Sequence, residues 1–463
     1  MSQSGIIMDF VHRQRRGAEL LLLVLALVVG IGAYAAVGLG VDGSVPVNLI
    51  GYGGWLTLLI VSAHVAVRFF APYADPVLLP LVAALNGLGL AVIYRLDLAY
   101  EVAGKAHTFA RQQLTWMTLG VVLFVAVLVL LRDHRYLQRF TYTGGVTALV
   151  LLLLPFVPFI GKENYGARIW INVGGMSFQP GEVAKVLLVI TFAGYLVQHR
   201  DALALAGRRV LFVDLPRGRD LGPILAMFAV SMVILVAQKD LGSSLLFFGL
   251  FLIMLYVATE RAGWLVVGGA LFAVGATMAY LFVGHVRTRF DIWLDPLGHY
   301  EGRGYQLVEG MFGMAWGGLI GRGFGNGSPE RITFANSDFI IPAIGEELGL
   351  TAVIAVILCY VLIVERGLRV ALISRDGFGK LIAVGLAAVF ALQVFVVIGG
   401  VTGLIPLTGL TTPFLSYGGS SLLANWVVIA LLMRISDQAR RPLPQLDEET
   451  DDDSEHTQVV KLR

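Results

Sequence analysis

Residues 293–306 read Trp-Leu-Asp-Pro-Leu-Gly-His-Tyr-Glu-Gly-Arg-Gly-Tyr-Gln and form the centre of a long polar segment. An apolar stretch ends before this segment near Phe282, and another begins after it near Phe339. A connection of this length is uncommon unless it is functional or a solvated spacer. Because its flanks are typical of membrane-spanning helices, we expect any chemistry in the aqueous phase to take place on this segment.

The composition is that of a membrane protein. Apolar residues make up 57% of the 463 residues, charged residues only 14%, and the mean hydropathy is +0.78, whereas soluble proteins carry about 25% charged residues. Hydrocarbon cannot satisfy open backbone groups, so each span needs a helix of roughly 20 apolar residues. The sequence therefore predicts an all-α polytopic helical bundle. The net charge of +2 does not indicate a nucleic-acid partner.

We predict twelve membrane spans from the apolar segments. Their limits are 18–40, 48–70, 76–95, 112–132, 140–160, 181–198, 221–237, 241–259, 263–284, 339–364, 378–403 and 418–436. The first is too long for the apolar part of a signal peptide and is expected to be retained. The acidic tail after Arg441 is predicted to be disordered. The single cysteine, Cys359, has no partner for a disulfide or a metal site.

The distribution of Lys and Arg predicts the orientation. If the N-terminus is cytoplasmic, the segments on the cytoplasmic side carry twice as many Lys and Arg as those on the outer side. Cytoplasmic loops are enriched in positive charge. We therefore expect both termini in the cytoplasm and the loop at 285–338 outside it.

Ionisable groups at membrane depth are candidates for function. The clearest pair is Glu182 and Lys185, which lie three residues apart on one helix face, just after Gln179 and Pro180. One interpretation is a self-neutralising ion pair near the interface. The other is a polar wall of a substrate cavity in which Lys185 faces a phosphate.

Other polar features are predicted near the same membrane face. The turn at 238–243 is most simply structural, and Asp338 is placed to cap the tenth span. At least one of the adjacent Glu346 and Glu347 should point into the bundle. The Gly- and Thr-rich run at 402–421 must form a loop or line a cavity, because irregular backbone is not exposed to lipid.

Taken together, these motifs resemble the SEDS (shape, elongation, division and sporulation) family, also called RodA/FtsW/SpoVE, and its RodA branch in particular. The matching stretches occur in family order and are 166–170, 178–185, 240–242, 295–298 with 304–306, 338–340, 345–349 and 402–421. Gly181, Lys239 and Val397 depart from the usual pattern. The resemblance implies a core of ten spans at 76–436 that contains an outer catalytic loop at 285–338. Residues 1–75 add two spans, and residues 437–463 form a cytoplasmic tail.

The resemblance also implies a function. SEDS proteins are peptidoglycan glycosyltransferases that polymerise lipid II, a disaccharide-pentapeptide on undecaprenyl diphosphate, for elongation or division. They act at the outer face of the bacterial cytoplasmic membrane, usually beside a class B penicillin-binding protein. The acidic residue implied as essential matches Asp295. A lipid II flippase is the alternative function, and a scaffold for other cell-wall enzymes is a third.

A carboxylate on an outer loop suits the role of general base. We expect Asp295 to take the proton from the 4-hydroxyl of the acceptor GlcNAc, with inversion at the donor MurNAc, and Asp291 is the nearest rival. Partial burial of Asp295 would raise its basicity. Cationic side chains or a divalent cation would steady the leaving diphosphate. The expected substrate contacts are Arg168, Trp170, Gln179, Glu182, Lys185, Arg303 and Ser416.

Overall fold

A computed structural model describes residues 14–105, 107–164, 166–174, 176–200, 203, 208–210, 213–215 and 218–442. The described residues form fourteen α-helices and two small antiparallel sheets. The helices are α1 Arg16–Val41, α2 Leu49–Phe70, α3 Leu78–Val102, α4 Phe109–Leu130, α5 Thr141–Leu153, α6 Pro180–Gln198, α7 Gly218–Ala237, α8 Leu241–Thr259, α9 Gly263–Phe282, α10 Gly284–Leu294, α11 Tyr305–Gly317, α12 Ile340–Ile373, α13 Gly377–Val401 and α14 Gly419–Arg440. The strands are β1 Gly161–Asn164, β2 Ala167–Val173, β3 Met176–Phe178, β4 Arg208–Val210 and β5 Val213–Leu215.

Eleven of the twelve predicted membrane helices are confirmed. Eleven helical segments of the described chain are long and apolar enough to cross a membrane, and α5 does so together with the short 3₁₀ helices on either side of it, as His134–Phe156. The seventh predicted span corresponds to α7, whose apolar part Leu221–Ala237 is shorter. The fold is therefore a polytopic helical bundle. The sheets are minor additions: β1, β2 and β3 form one, and β4 pairs with β5.

Several helix ends follow the local sequence. Asp240 caps α8 by accepting a hydrogen bond from the Ser243 amide at 2.9 Å, which satisfies a donor that a helix start leaves open. Pro180 occupies the first turn of α6, where no amide hydrogen is needed. The predicted cap by Asp338 is wrong. Phe339 holds the cap position of α12, while the Asp338 carboxylate accepts a hydrogen bond from the Ser337 hydroxyl at 2.8 Å.

The two N-terminal helices pack firmly against the rest of the bundle. Helix α1 crosses α3 at Gly30 and Gly87, where a Cβ on Gly30 would lie 2.8 Å from the Cα of Gly87. Tyr34 of α1 stacks on Tyr94 of α3 at 4.3 Å and on Tyr52 of α2 at 5.3 Å between ring centroids. Small residues permit this close approach of backbones, as is common between membrane helices.

The long segment between α9 and α12 packs against a break in α12. Gly349 has φ 79° and ψ 177°, which interrupts the helix and suits a residue without Cβ. The amides freed by the break, those of Leu350 and Thr351, donate to the carbonyls of Gly318 and Leu319 at 3.0 and 3.1 Å. The segment after α11 thus satisfies the backbone of a membrane helix, so it is more than a solvated spacer.

Both acidic residues before this break are buried. Glu347 forms an ion pair with Arg95 of α3, with 2.7 Å between Oε1 and Nε. Glu346 accepts a hydrogen bond from the Ser328 amide at 2.7 Å. The expectation that at least one of them points inward is confirmed. The pair joins α3, α12 and the segment after α11.

The opposite end of the bundle is closed by a second buried ion cluster. Asp75, in the link between α2 and α3, lies 2.5 Å from a guanidinium nitrogen of Arg440 at the end of α14. Asp437 accepts a hydrogen bond from the Tyr73 amide at 2.9 Å. Neither carboxylate has measurable exposure. These contacts fix the last turn of α14 against the N-terminal pair of helices.

Candidate active site

Asp295 ends α10 and is exposed on the long loop. Its Oδ1 accepts a hydrogen bond from the Gly298 amide at 2.9 Å, and its carbonyl lies 2.8 Å from Nδ1 of His299. A Cβ on Gly298 would lie 2.2 Å from Oδ2, so any side chain larger than that of glycine would displace the carboxylate. The Asp-Pro-Leu-Gly turn therefore fixes the direction of the carboxylate. Asp295 is exposed, so the partial burial that would suit a general base is absent.

Helix α10 is held against the loop at 402–418. The indole nitrogen of Trp293 donates to the Gly403 carbonyl at 2.8 Å, and Arg289 donates to the Leu407 carbonyl at 2.6 Å. Trp293 lies about half a helical turn before Asp295, and Arg289 lies about one and two-thirds turns before it. The two polar loops that the sequence identified separately therefore meet, and one of them carries the candidate base.

Arg289 is the centre of a partly buried charge cluster that also contains Asp240 and Asp338. Burial lowers the pKa of Arg289, and the two carboxylates oppose that effect. Burial likewise raises the pKa of Asp240 and that of Asp338, while the charge of Arg289 lowers both. The cluster brings together α8, α10 and the start of α12. Such mutual compensation stabilises charges that would otherwise be costly to bury.

Glu182 and Lys185 form the predicted pair on α6. Lys185 Nζ lies 2.5 Å from Glu182 Oε2 and donates to Gln393 Oε1 of α13 at 2.8 Å. The Gln393 amide nitrogen continues the chain to the Thr411 carbonyl at 2.9 Å. All three side chains are buried. These contacts are those of a self-neutralising pair that ties α6 and α13 to the loop at 402–418.

Ser416 and Gln179 also connect this loop to its neighbours. Ser416 Oγ donates to the Ser337 carbonyl and accepts from the Thr412 amide at 2.9 Å. The Gln179 amide donates to Ser420 Oγ at 2.8 Å. Both predicted substrate contacts are engaged in holding the 402–421 region in place. Gln179, Glu182, Lys185 and Ser416 are all linked by hydrogen bonds or ion pairs to the 402–421 region, and this group is here called the polar wall.

The remaining predicted contacts lie on exposed segments. Arg168 pairs with Glu163 across the β1–β2 hairpin at 2.8 Å, and Trp170 lies opposite Lys162 in the same hairpin. The hydrogen bond and charge of Arg168 lower the pKa of Glu163. Arg303 is exposed and reaches the Thr288 hydroxyl at 3.4 Å. The predicted residues therefore divide between a buried wall and an exposed rim.

Gln393 and Arg95 are among the buried polar residues that were missing from the predicted set. Gln393 stands alone in a long apolar run, and this isolation was an available signal. Arg95 was assigned to the end of the third span, but α3 continues to Val102 and buries it. Among the described residues, no three His, Cys, Asp or Glu side chains are grouped closely enough to hold a metal.

An apolar cavity of about 470 Å³ lies between α4, α6 and α14. It runs from Phe178 and Val183, next to the Glu182–Lys185 pair, to Leu131 and Leu137 near the other end of α4. Ligand cavities commonly have volumes of about 300–1,000 Å³. Its walls expose only apolar surface, so it suits a hydrocarbon chain.

Comparison with known proteins identifies the family. A sequence profile for the FtsW/RodA/SpoVE family, described as "Cell cycle protein", matches residues 76–441. The chain belongs to the FtsW/RodA/SpoVE family. The profile covers α3 to α14 and leaves α1 and α2 outside.

Relatives within the FtsW/RodA/SpoVE family include proteins named peptidoglycan glycosyltransferase RodA. Those of Mycobacterium tuberculosis and Mycobacterium leprae are 49% and 50% identical, and each match covers 93% of this chain and 92% of the relative. A probable peptidoglycan glycosyltransferase FtsW of Geobacter metallireducens is 32% identical over 79% of this chain and 95% of its own length. The mycobacterial matches therefore extend into α1 and α2.

The fold is also found in a solved structure. One chain of a peptidoglycan synthase complex superposes with a TM-score of 0.64 at 27% identity, over 79% of this chain and 98% of that one. That structure is described as coordinating polymerisation and crosslinking.

Proposed function

We propose that this chain is a peptidoglycan glycosyltransferase that polymerises lipid II by an inverting mechanism at the outer face of the bacterial cytoplasmic membrane. Family membership and 49% identity to proteins named RodA support the activity. The observation that carries the mechanism is the placement of Asp295. Its carboxylate is exposed and oriented on a loop that is fastened to membrane helices through Trp293 and Arg289.

In the proposed reaction, the Asp295 carboxylate takes the proton of the acceptor GlcNAc 4-hydroxyl. The hydroxyl oxygen attacks the anomeric carbon of the donor MurNAc from the face opposite the diphosphate. The bond from that carbon to the diphosphate oxygen breaks, and a β-1,4 link forms. A positioned carboxylate contributes roughly 100- to 10,000-fold to such a transfer. The carboxylate needs a fixed direction for this role, and Gly298 provides it.

The leaving diphosphate carries negative charge that a cation should stabilise. Lys185 is already neutralised by Glu182, and the charges of Asp240 and Asp338 compensate that of Arg289. Arg303 is exposed and lies eight residues after Asp295 on the same loop. We therefore assign the diphosphate contact to Arg303, with Arg168 and Trp170 on the β-hairpin as the opposite rim of the sugar site. Gln179, Glu182, Lys185 and Ser416 shape the wall beneath.

The apolar cavity supplies a place for one polyprenyl tail. Its end at Val183 adjoins the polar wall, so a chain lying in it would present its diphosphate to the loop region. Burying a hydrocarbon chain against such walls is favourable by about 0.8 kcal/mol per methylene relative to water. Because the bilayer already solvates the polyprenyl chain, the cavity gains little of this energy. Its main effect is to fix the position of the chain.

We propose a class B penicillin-binding protein as partner, because the solved chain with the same fold belongs to a peptidoglycan synthase complex. The excess of positive charge in alternate loops supports cytoplasmic termini. With that orientation, the loop carrying Asp295 lies outside the cytoplasm, where the new glycan is needed. Either elongation or division is compatible with these features.

The decisive experiment gives labelled lipid II to the purified protein, alone and with its penicillin-binding partner, and measures glycan chain length on a gel. Polymer from wild type supports the enzyme. The alternative, a lipid II flippase, predicts movement of labelled lipid across sealed vesicles without any polymer. Lipid movement without polymer would contradict the proposed function. The exposed carboxylate favours the enzyme in advance, because translocation alone does not require it.

Gly298 provides a test of orientation that leaves the base itself in place. We expect Gly298→Ala to lower polymerisation by roughly 10- to 100-fold, because the new methyl would displace the Asp295 carboxylate and misalign the reacting atoms. Gly302→Ala is the matched control, since its Cβ would meet nothing closer than 3.9 Å. Initial rates of polymer formation measure the difference. Equal rates for the two variants would contradict the orienting role.

The apolar cavity can be tested by filling it. Ala424 lines the cavity, and Ala424→Trp should raise the KM for lipid II several-fold by occupying the space of the polyprenyl chain. Ala273→Trp on the exposed face of α9 adds the same side chain outside the cavity and should leave KM unchanged. Steady-state kinetics over a range of lipid II concentrations measure both. An unchanged KM in Ala424→Trp would contradict a tail site.

A further inference from the structure

The two N-terminal helices lie outside the family profile, which begins at residue 76. They also contribute none of the residues assigned above to substrate. Yet the end of α1 touches the long loop directly. A Cβ on Gly40 would lie 2.0 Å from the carbonyl oxygen of Phe324, and a Cβ on Gly325 would lie 2.5 Å from the carbonyl oxygen of Gly40. Two backbones are therefore in contact, with no side chain between them.

The segment touched by α1, residues 322–328, is here called the strap. Glu347 holds the strap from the α12 side, since its Oε1 lies 3.3 Å from the Gly325 amide. Arg95 holds it from the α3 side by donating to the Gly327 carbonyl at 3.1 Å. The contact with α1 is the third support, and Phe324 is buried there. The strap is thus enclosed by three helices.

The strap continues directly into the polar centre of the site. Ten residues after Ser328 the chain reaches Asp338, which shares the charge cluster with Arg289 on the helix that ends at Asp295. Between them, the Thr333 carbonyl accepts a hydrogen bond from Gln306 at 3.2 Å. A displacement of the strap would therefore be transmitted to the loop that carries the base.

Contacts with α3 fix the position of α1 along its own axis. Tyr34 stacks on Tyr94, the residue before Arg95, and Gly30 packs on Gly87. Contacts along α1 therefore fix the level at which Gly40 meets Phe324. We propose that α1 is a positioning helix: its outer end braces the strap, and through the strap it holds the catalytic loop in its working arrangement. The effect on catalysis rests on the proposed function, whereas the brace itself does not.

The test compares Gly40→Val with Gly32→Val in the full-length protein. Both glycines are exposed residues of α1, but nothing lies within 4 Å of a Cβ on Gly32. Hydrogen exchange of peptides covering 318–338 is measured by mass spectrometry. We expect faster exchange in Gly40→Val than in Gly32→Val and wild type, because the Gly323, Gly325 and Ser328 amides lose their fixed acceptors.

Lipid II polymerisation provides the second measurement. We expect kcat to fall roughly tenfold or more in Gly40→Val with a small change in KM, since the loop and not the tail cavity is displaced. If valine prevents folding, Gly40→Ala introduces the same Cβ alone and is assessed in the same way. Unchanged exchange at 318–338 would overturn the brace. Faster exchange with unaltered kcat would overturn its positioning role. A wild type that makes no polymer would overturn the proposed function, and the exchange data would still decide the brace.

Discussion

Asp295→Asn is expected to lower lipid II polymerisation by roughly 100- to 10,000-fold, the usual contribution of a positioned general base. Asparagine keeps the shape of the side chain, and its amide oxygen can still accept the hydrogen bond from Gly298. The variant therefore removes the basic oxygen with little change in structure. Polymer yield on a gel, with the penicillin-binding partner present, measures the effect.

Asp291→Asn is the matched control for this prediction. Asp291 lies on the same helix one turn earlier, and its Oδ1 is 3.4 Å from the Tyr280 hydroxyl. We expect its activity to stay near that of wild type. The assignment of the base to Asp295 would be wrong if the two variants behaved alike, or if Asp291→Asn alone were inactive.

The buried pair of Arg95 and Glu347 should give the largest effect on stability. Removing one partner leaves an uncompensated buried charge, so Arg95→Ala and Glu347→Ala should each lower the free energy of unfolding by about 3–5 kcal/mol. Replacing both with methionine should be much less damaging, because no charge is then left unpaired. Denaturant titration of the purified protein in detergent measures these differences in the free energy of unfolding.

The exposed pair of Arg168 and Glu163 is the comparison. Exposed ion pairs contribute about 0–1 kcal/mol, and both of these side chains are about half exposed. Arg168→Ala should therefore leave the free energy of unfolding almost unchanged. A loss in Glu347→Ala no larger than that in Arg168→Ala would show that the buried pair is not needed for the fold.

The sequence predicted the membrane architecture well because apolar length is a local property. The pairing of Glu182 with Lys185 was also accessible, since it depends only on helix periodicity. Two span ends were less well predicted. Helix α3 continues past Arg95 to Val102, and α12 continues to Ile373. Near the missed end, each helix has an arginine whose partner is distant in the chain: Arg95 pairs with Glu347, and Arg366 lies 3.8 Å from Asp75.

Long-range contacts account for most of what was not predicted. The break at Gly349 is satisfied by carbonyls of residues 318 and 319, and Gln393 reaches Lys185 from 208 residues away. Periodicity carries no information on such pairings. The placement of Asp338 shows the same limit: a local cap was the simplest expectation, but the charge of Arg289 and the neighbouring Ser337 hydroxyl draw its carboxylate into the site.

The separation of Arg95 from Glu347 has a consequence for biosynthesis. Arg95 is made 252 residues before its partner, so α3 must enter the bilayer while its arginine has no counter-ion. An arginine at the centre of an inserting helix is unfavourable by about 2.5–3.5 kcal/mol on translocon scales, and Arg95, which lies nearer the end of α3, carries a smaller cost of the same sign. We therefore expect α3 to stay beside the insertion machinery until α12 emerges from the ribosome. The N-terminal half of the bundle then cannot mature before about three quarters of the protein has been synthesised.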